Sequence, residues 1–485
     1  MKRIIIALLA ALLALSMLAS CGDKTPEHTT ATTSPTEDKT PKPDPDVDQT
    51  DYRALVLAEL ETLAENAASD FTVAETEGGL EITAYVGTAQ KVRVPAQING
   101  QPVVRIADEV FKIEKKKDQA ADATEPTVEK AKITHLYLPD SIQSLGKSIL
   151  AGCDTITAIR TPLLGKNAES EQFLGYLFGA ADYRDNVYTA LSLRYVWLDG
   201  GVTAVSDYAF SECSMLEAVL LDDAITSIGK FAFAYGRALK YVNLESVQTV
   251  GTYAFSACKV LVRAEFSGAL RSVGLGAFQG CEALSSMSVP FVGGSADQNT
   301  YLGYIFGAQN PDFTVGFLPA YFRTVTVLNG AVALGDYAFY ECASLRTINL
   351  PATVTTVGVR VFEGCTKLET LIFSDALQSV RENAFVGCTA LKTISLGNGL
   401  TSLGVNAFYG CTALTEITLP ASLTSLSASA FADCKALKTV NLGGVKKVGK
   451  NAFRGCTAIQ SVTASSGVTI EDGNDAIKRI LQPEK

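Results

Sequence analysis

A pair of residues, Ala-Phe, returns along this chain with a regularity that few folds can accommodate. Aligned on that pair, the phenylalanines fall at Phe210, Phe233, Phe255, Phe278, Phe339, Phe362, Phe385, Phe408, Phe431 and Phe453. The gaps between them are 23, 22, 23, 61, 23, 23, 23, 23 and 22 residues, and weaker copies end at Phe111 and Leu150. A period held so tightly is the mark of a solenoid, in which each unit packs only against its neighbours.

The repeating unit reads Leu-x-x-Ile-x-Leu-Pro, a turn, Val-x-x-Ile-Gly, two variable residues, then Ala-Phe-x-x-Cys. Its first part, as in Leu414, Ile417 and Leu419, alternates like a strand and is rich in threonine, which suits one strand of a continuous parallel sheet. Proline follows where the strand must stop (Pro351, Pro420). Val-x-x-Ile predicts a second short strand. Gly-x-x-Ala-Phe-x-x-Cys predicts a helical turn, with the glycine, or Ser206 and Ser427 in its place, as N-cap. Arg381 at the same position fits that role poorly.

About eight positions per unit face inward, and each large buried side chain contributes ~1.5–3 kcal/mol. Ordering one residue costs ~1.5 kcal/mol, so a single coil cannot stand alone and the array must fold as one domain. The expected fold is a β-rich (α/β-type) solenoid of 23-residue coils, with a parallel sheet on one face and short helical turns on the other.

These motifs resemble the BspA-type leucine-rich repeats of bacterial surface proteins over roughly residues 71–465. The stretch FTVAETEGGLEITAYVGTAQKVRVPAQINGQPVVRIADEVF looks like that family's entry cap. The resemblance implies an extracellular protein without catalytic residues, associated with adhesion and protein binding, although fold by itself does not fix function.

Before the array, a basic start (Lys2, Arg3) leads into an apolar stretch from Ile4 to about Leu15, which reads as a secretory signal over residues 1–20. Leu18-Ala19-Ser20-Cys21 resembles the lipobox of bacterial lipoproteins, which implies that Cys21 is acylated and becomes the first mature residue. Residues 21–50, dominated by Thr, Pro and acidic groups, cannot bury enough surface to fold and form a tether. The net charge of −10 becomes −12 without Lys2 and Arg3, which argues against nonspecific nucleic-acid binding.

Ten of the eleven cysteines occupy one position of the unit. With only two histidines, His28 and His135, a Cys/His nucleophile has no base, and no closely spaced cysteine pair offers a zinc site. Parallel side chains in adjacent coils hold their sulfurs in a column instead of face to face, and Gly236 replaces one cysteine without breaking the array. The ten are expected to be free thiols acting as small buried hydrophobes.

Function is sought where the period breaks. Insertions are expected near 112–131, 162–192 and 291–321. The last two share FLGYLFGA and YLGYIFGA and carry Tyr176, Phe178, Tyr183 and Tyr188, or Tyr304, Phe306, Phe313 and Phe317. They read either as aromatic protrusions for a partner or as degenerate coils filling their own cores. On the sheet, Arg194, Lys240, Arg323 and Arg346 sum to a cationic stripe, beside Tyr195, Trp197 and Tyr241. Such a stripe suits an acidic polymer or protein surface. Ordinary solvated cations, interrupted by Glu217 and Glu369, give the same pattern.

The termini read as caps. Residues 51–70 place Tyr52, Leu55, Val56, Leu60 and Leu63 on one helical face to fold over the first coil, and 466–485 carry Ile477, Ile480 and Leu481 against the last, with Asp472 or Asn474 as helix start. No phosphate loop, Gly-x-Ser-x-Gly elbow or His-Glu-x-x-His is present, and no catalytic residue, metal or cofactor is expected. The chain reads as a monomeric, lipid-anchored surface protein binding an extracellular protein or polysaccharide. A structural spacer and a solute-binding lipoprotein are the alternatives, and the period opposes the two hinged lobes that the latter needs.

Overall fold

The computed structural model describes residues 50–113, 132–298 and 300–482. The signal segment, Cys21, the tether and nearly all of the 112–131 insertion lie outside the described residues. The rest is a stack of coils, each passing through three short segments that bond to the same segments of the next coil.

The first segment is the predicted strand. Ala158 lies opposite Tyr195, Tyr195 opposite Ala218, and Ala218 opposite Tyr241, all in parallel register. The same pairing recurs further on, as in Glu416–Thr418 beside Thr439–Asn441 and Ser461–Thr463. The alternation of the sequence becomes an alternation of faces, with central residues such as Ile348, Leu371 and Ile417 buried between exposed neighbours. The second segment gives the expected two-residue strands, among them Ser227–Ile228, Thr249–Val250 and Ser272–Val273.

The third segment departs from the expected helical turn. Each Ala-Phe turn contains two residues with left-handed backbone, such as Tyr208 (φ 61°) and Glu212 (φ 64°), or Asn406 (φ 55°) and Gly410 (φ 73°). Left-handed residues at that spacing forbid a helix. They turn alternate N–H groups outward along the stack. Tyr208, Phe210 and Glu212 donate to Lys230, Ala232 and Ala234 of the next coil, while Ser211 and Cys213 close the turn on Tyr208 and Phe210. The result is a third ladder between coils. The glycine before it is no N-cap: a Cβ on Gly274 would lie 2.4 Å from the Thr252 nitrogen, so the residue marks close approach of two coils.

Inside, the phenylalanines form two ring stacks. Phe210, Phe233, Phe255 and Phe278 stand 5.1, 5.0 and 5.2 Å apart, and Phe339 to Phe453 continue at 4.7–5.5 Å. The ten repeat cysteines are free and buried. Beyond filling space, most of their thiols make a bond the sequence did not suggest. Cys388, Cys411 and Cys434 donate to the carbonyls of Phe362, Phe385 and Phe408 in the preceding coil, at 3.1–3.2 Å. Burial pushes the thiols of Cys213 and Cys258 up to about 12, which leaves them inert toward electrophiles at neutral pH.

Both long breaks are degenerate coils. Helix α2 (Gly175–Phe178) and the 3₁₀ turn Leu302–Phe306 each close on a left-handed glycine, Gly179 and Gly307. They stay in the turn ladder, since Ser148 and Leu150 donate to Tyr176 and Leu177, and Gly276 and Phe278 to Tyr304 and Ile305. Phe306 is fully buried and Tyr176, Phe178, Tyr304 and Phe317 pack against the core. These aromatics therefore serve the fold, whereas Phe313 is exposed.

A helix packs on the last coil, and a hairpin covers the first. Helix α3 (Asp475–Leu481) buries Ile477 and sets Ile480 and Leu481 against the core. Asn474 replaces a further coil: its Oδ1 accepts from the Phe453 N–H at 2.9 Å and its Nδ2 donates to Gly449. At the other end the antiparallel hairpin Phe71–Thr76 and Gly79–Tyr85 covers the first coil. The N-terminal helix, expected there, lies elsewhere.

Candidate functional site on the sheet face

Two residues of each strand point away from the core, and together they pave one long face. In the early coils this pavement is mostly apolar, interrupted by the buried His135 and Arg160. Tyr137, Ala158, Tyr195, Trp197, Ala218, Leu220 and Tyr241 stand there. Helix α1 (Tyr52–Leu60) lies across them and contacts the strands His135–Tyr137, Ala158–Thr161, Tyr195–Leu198 and Ala218–Leu221. Its Tyr52, Val56 and Leu60, spaced four apart, and Leu63 beyond it are buried against Ala158, Ala218 and Leu220. These apolar residues form a cluster separate from the main core, on the opposite side of the sheet. A cap would require an apolar end of the stack, and the hairpin already fills it; the apolar patch left over is on the sheet.

Polar contacts hold α1 at both ends. Asp51 caps its start by accepting from the Ala54 N–H at 2.9 Å. Tyr52 stacks on Tyr241 at 6.2 Å, under the Lys240 ammonium at 5.8 Å. Near its end Glu59 meets His135 at 2.6 Å, and Arg93 donates to the carbonyls of Glu61 and Leu63 at 3.0 Å. A crevice of about 170 Å³ runs beside the helix, lined by Arg53, Leu57, Trp197 and Asn243 and by Asp199, Asp222 and Asp223. The buried Arg160 donates to Asp140 and to the lining residue Asp199 (2.6 Å) and lies 5.4 Å from the Trp197 ring. Burial, and a hydrogen bond shared with Asp222, push the Asp199 carboxyl up to about 6 against the pull of Arg160.

Beyond Tyr241 the face changes. From Ser286 to Thr463 its outward positions are serine, threonine or asparagine except at Ile372 and Glu416. No helix crosses this stretch among the described residues, and Thr347, Thr370, Thr393 and Thr439 are exposed.

The predicted site residues divide between the two stretches. Tyr195, Trp197, Lys240 and Tyr241 lie under or beside α1, so this part of the expected binding surface is already occupied. The cationic stripe does not sum as expected. Glu217 pairs with both Arg194 (3.3 Å) and Lys240 (2.9 Å), and Glu369 with Lys392 (2.8 Å), because parallel strands bring opposite charges of adjacent coils side by side. Arg323 and Arg346 sit on the open stretch, next to strands Thr324–Val327 and Thr347–Asn349. No group of three or more His, Cys, Asp or Glu is placed to hold a metal ion among the described residues.

The family model for the BspA-type leucine-rich repeat region matches residues 182–301 and 332–460 in six copies, more than half of the chain. The chain belongs to this family. No curated protein matches it. Among solved structures it is similar to a leucine-rich repeat protein from Bacteroides ovatus, at 18% identity over 84% of this chain and 99% of that one, with a TM-score of 0.32. It is also similar to a leucine-rich cell surface protein from Faecalibacterium prausnitzii (18% identity, 87% and 99% covered, TM-score 0.30). A third is the pneumococcal vaccine antigen PcpA (14% identity, 85% and 91% covered, TM-score 0.26). Membership of the BspA-type family accounts for the coils and not for α1. The signal that could have located the helix is the pair Ala158 and Ala218, small residues at outward positions where later coils carry threonine.

Proposed function

We propose that this protein is displayed on a bacterial surface, anchored through a lipid on Cys21, and binds an extracellular protein or polysaccharide without catalysis. The observation that carries this reading is the open sheet from Arg263 to Thr463, a regular polar surface that no described part of the chain covers. A solenoid spends most of its residues holding such a surface in place, and extended concave surfaces of this kind are what repeat arrays offer to ligands. Among the described residues no helix is long and apolar enough to cross a membrane; the anchor proposed, an acyl chain on Cys21, rests on the lipobox-like Leu18-Ala19-Ser20-Cys21.

The structural spacer is the second reading, favoured by the mutual neutralisation of Arg194, Lys240 and Glu217. A pull-down from matrix proteins and cell-wall glycans with the fragment from Asp51 onward separates the two. The binding reading expects a retained ligand whose affinity falls on charge reversal at Arg323 and Arg346. Retention of nothing supports the spacer. Metabolic labelling with palmitate, lost in Cys21→Ala, tests the anchor.

A further inference from the structure

The apolar stretch of the sheet face is built to receive a helix, and α1 has the character of a removable occupant. Its nine residues are too few to be helical alone in water, since isolated helices below ~12–15 residues are marginal. It is ordered only while seated. Its apolar contacts belong to a cluster separate from the main core, so the coils beneath keep their own packing without it. The chain that follows, residues 61–67, has no helix or strand and is mostly exposed apart from Leu63, its ties to the coils running through Arg93, which bonds Glu61, Leu63 and Asn66.

The seat is also chemically specific. Small Ala158 and Ala218 leave room for a helix between Tyr137, Tyr195, Trp197 and Tyr241, aromatic residues of the kind that anchor protein interfaces. Lys91, Arg93 and His135 form a basic margin where the C-terminal end of α1 lies, and Glu59 answers it. Asp199, Asp222 and Asp223 form an acidic margin along the crevice, facing Arg53. An occupant is thus read by apolar side chains four residues apart, a cation near its start and a carboxylate near its end.

We propose that this stretch of sheet is a docking groove for an amphipathic helix of a partner protein with that pattern, and that α1 fills the groove in cis until the partner displaces it. The proposal is independent of membrane anchoring and of any ligand on the open stretch. The segment attached to the groove has an effective concentration in the millimolar range, so a partner must bind tightly or α1 must first be loosened.

The test uses the full chain and a labelled peptide of its own residues 50–67 as the probe. Trp197, the single tryptophan, reports on the groove. The substitutions Val56→Asp and Leu60→Asp together should raise acrylamide quenching of Trp197, leave the cooperative unfolding of the coils in place, and tighten peptide binding about tenfold or more over the unsubstituted protein. Peptide binding should then restore the protection of Trp197. Tyr52→Ala, a milder change at one end, should give a smaller gain in the same direction. The proposal is overturned if Trp197 becomes accessible yet the peptide does not bind, if quenching does not change in either variant, or if both variants lose the coils along with the helix. Concentration-dependent dimers in which one copy's helix fills another's groove would overturn the foreign partner in favour of a second copy.

Discussion

One sheet carries two surfaces. Around Trp197 the outward residues are aromatic, aliphatic or small, apart from the buried His135 and Arg160, and lie beneath a helix; around Thr393 they are mostly hydroxyls facing water, with Ile372 and Glu416 on the flanking strands. The parallel register is the same in both and the inward residues are mostly aliphatic in both, so the outer side is free to differ. What differs is only which side chains occupy alternate positions of the strands, and that alone decides whether the face is covered or open. In this molecule the packed core and the variable outer face sit on opposite sides of the same strand.

The inner side should not distinguish the two stretches. Phe233→Ala, beneath the covered face, and Phe385→Ala, beneath the open one, should each cost about 3–5 kcal/mol in denaturant unfolding, since each removes one ring from a continuous stack. Costs that differ sharply would show that the helix braces the core. On the outer side the halves should part. Leu60→Asp should cost about 1–3 kcal/mol by unseating a buried contact, whereas Thr393→Ala should stay within about 0.5 kcal/mol.

Acidity gives a gentler distinction. The folded Asp199 holds its proton up to about 6, above the ordinary 3.8, so the folded state binds the extra proton between those values. That contribution is complete below the lower value and fades as pH rises through the upper one. Stability of the covered stretch, followed by Trp197 emission, should therefore fall modestly from pH 4 to pH 6, and Asp199→Asn should flatten that slope. The smallest effect is expected at the exposed Lys392–Glu369 pair, where Lys392→Ala should leave the unfolding midpoint unchanged.

Much of this architecture is legible before any coordinates, because a stacked coil repeats its constraints. Every coil must present a ring, a thiol and alternating apolar residues at the same places, so Phe385 and Cys388 identify their own roles by recurrence. The turn was harder to read. Tyr208 and Arg360 adopt left-handed backbone that their side chains do not advertise, since hydrogen bonds to the next coil enforce it. Helix α1 was foreseen as a helix, because Tyr52, Val56 and Leu60 repeat at helical spacing, but not in its place. Amphipathicity says that a face must be buried and leaves the burying surface unnamed. Of the two readings of the cationic column, the contacts agree with the one in which Glu217 and Glu369 interrupt it, since Glu217 touches both its basic neighbours.

The side chain of Asn474 gives the array a stop that is independent of how many coils precede it. Phe431 donates to a carbonyl of the next coil, and Phe453, having none, finds the same bond in one amide. Whole cassettes inserted or removed upstream would meet an unchanged terminus. A chain built this way can lengthen or shorten in steps of one unit while its ends stay sealed.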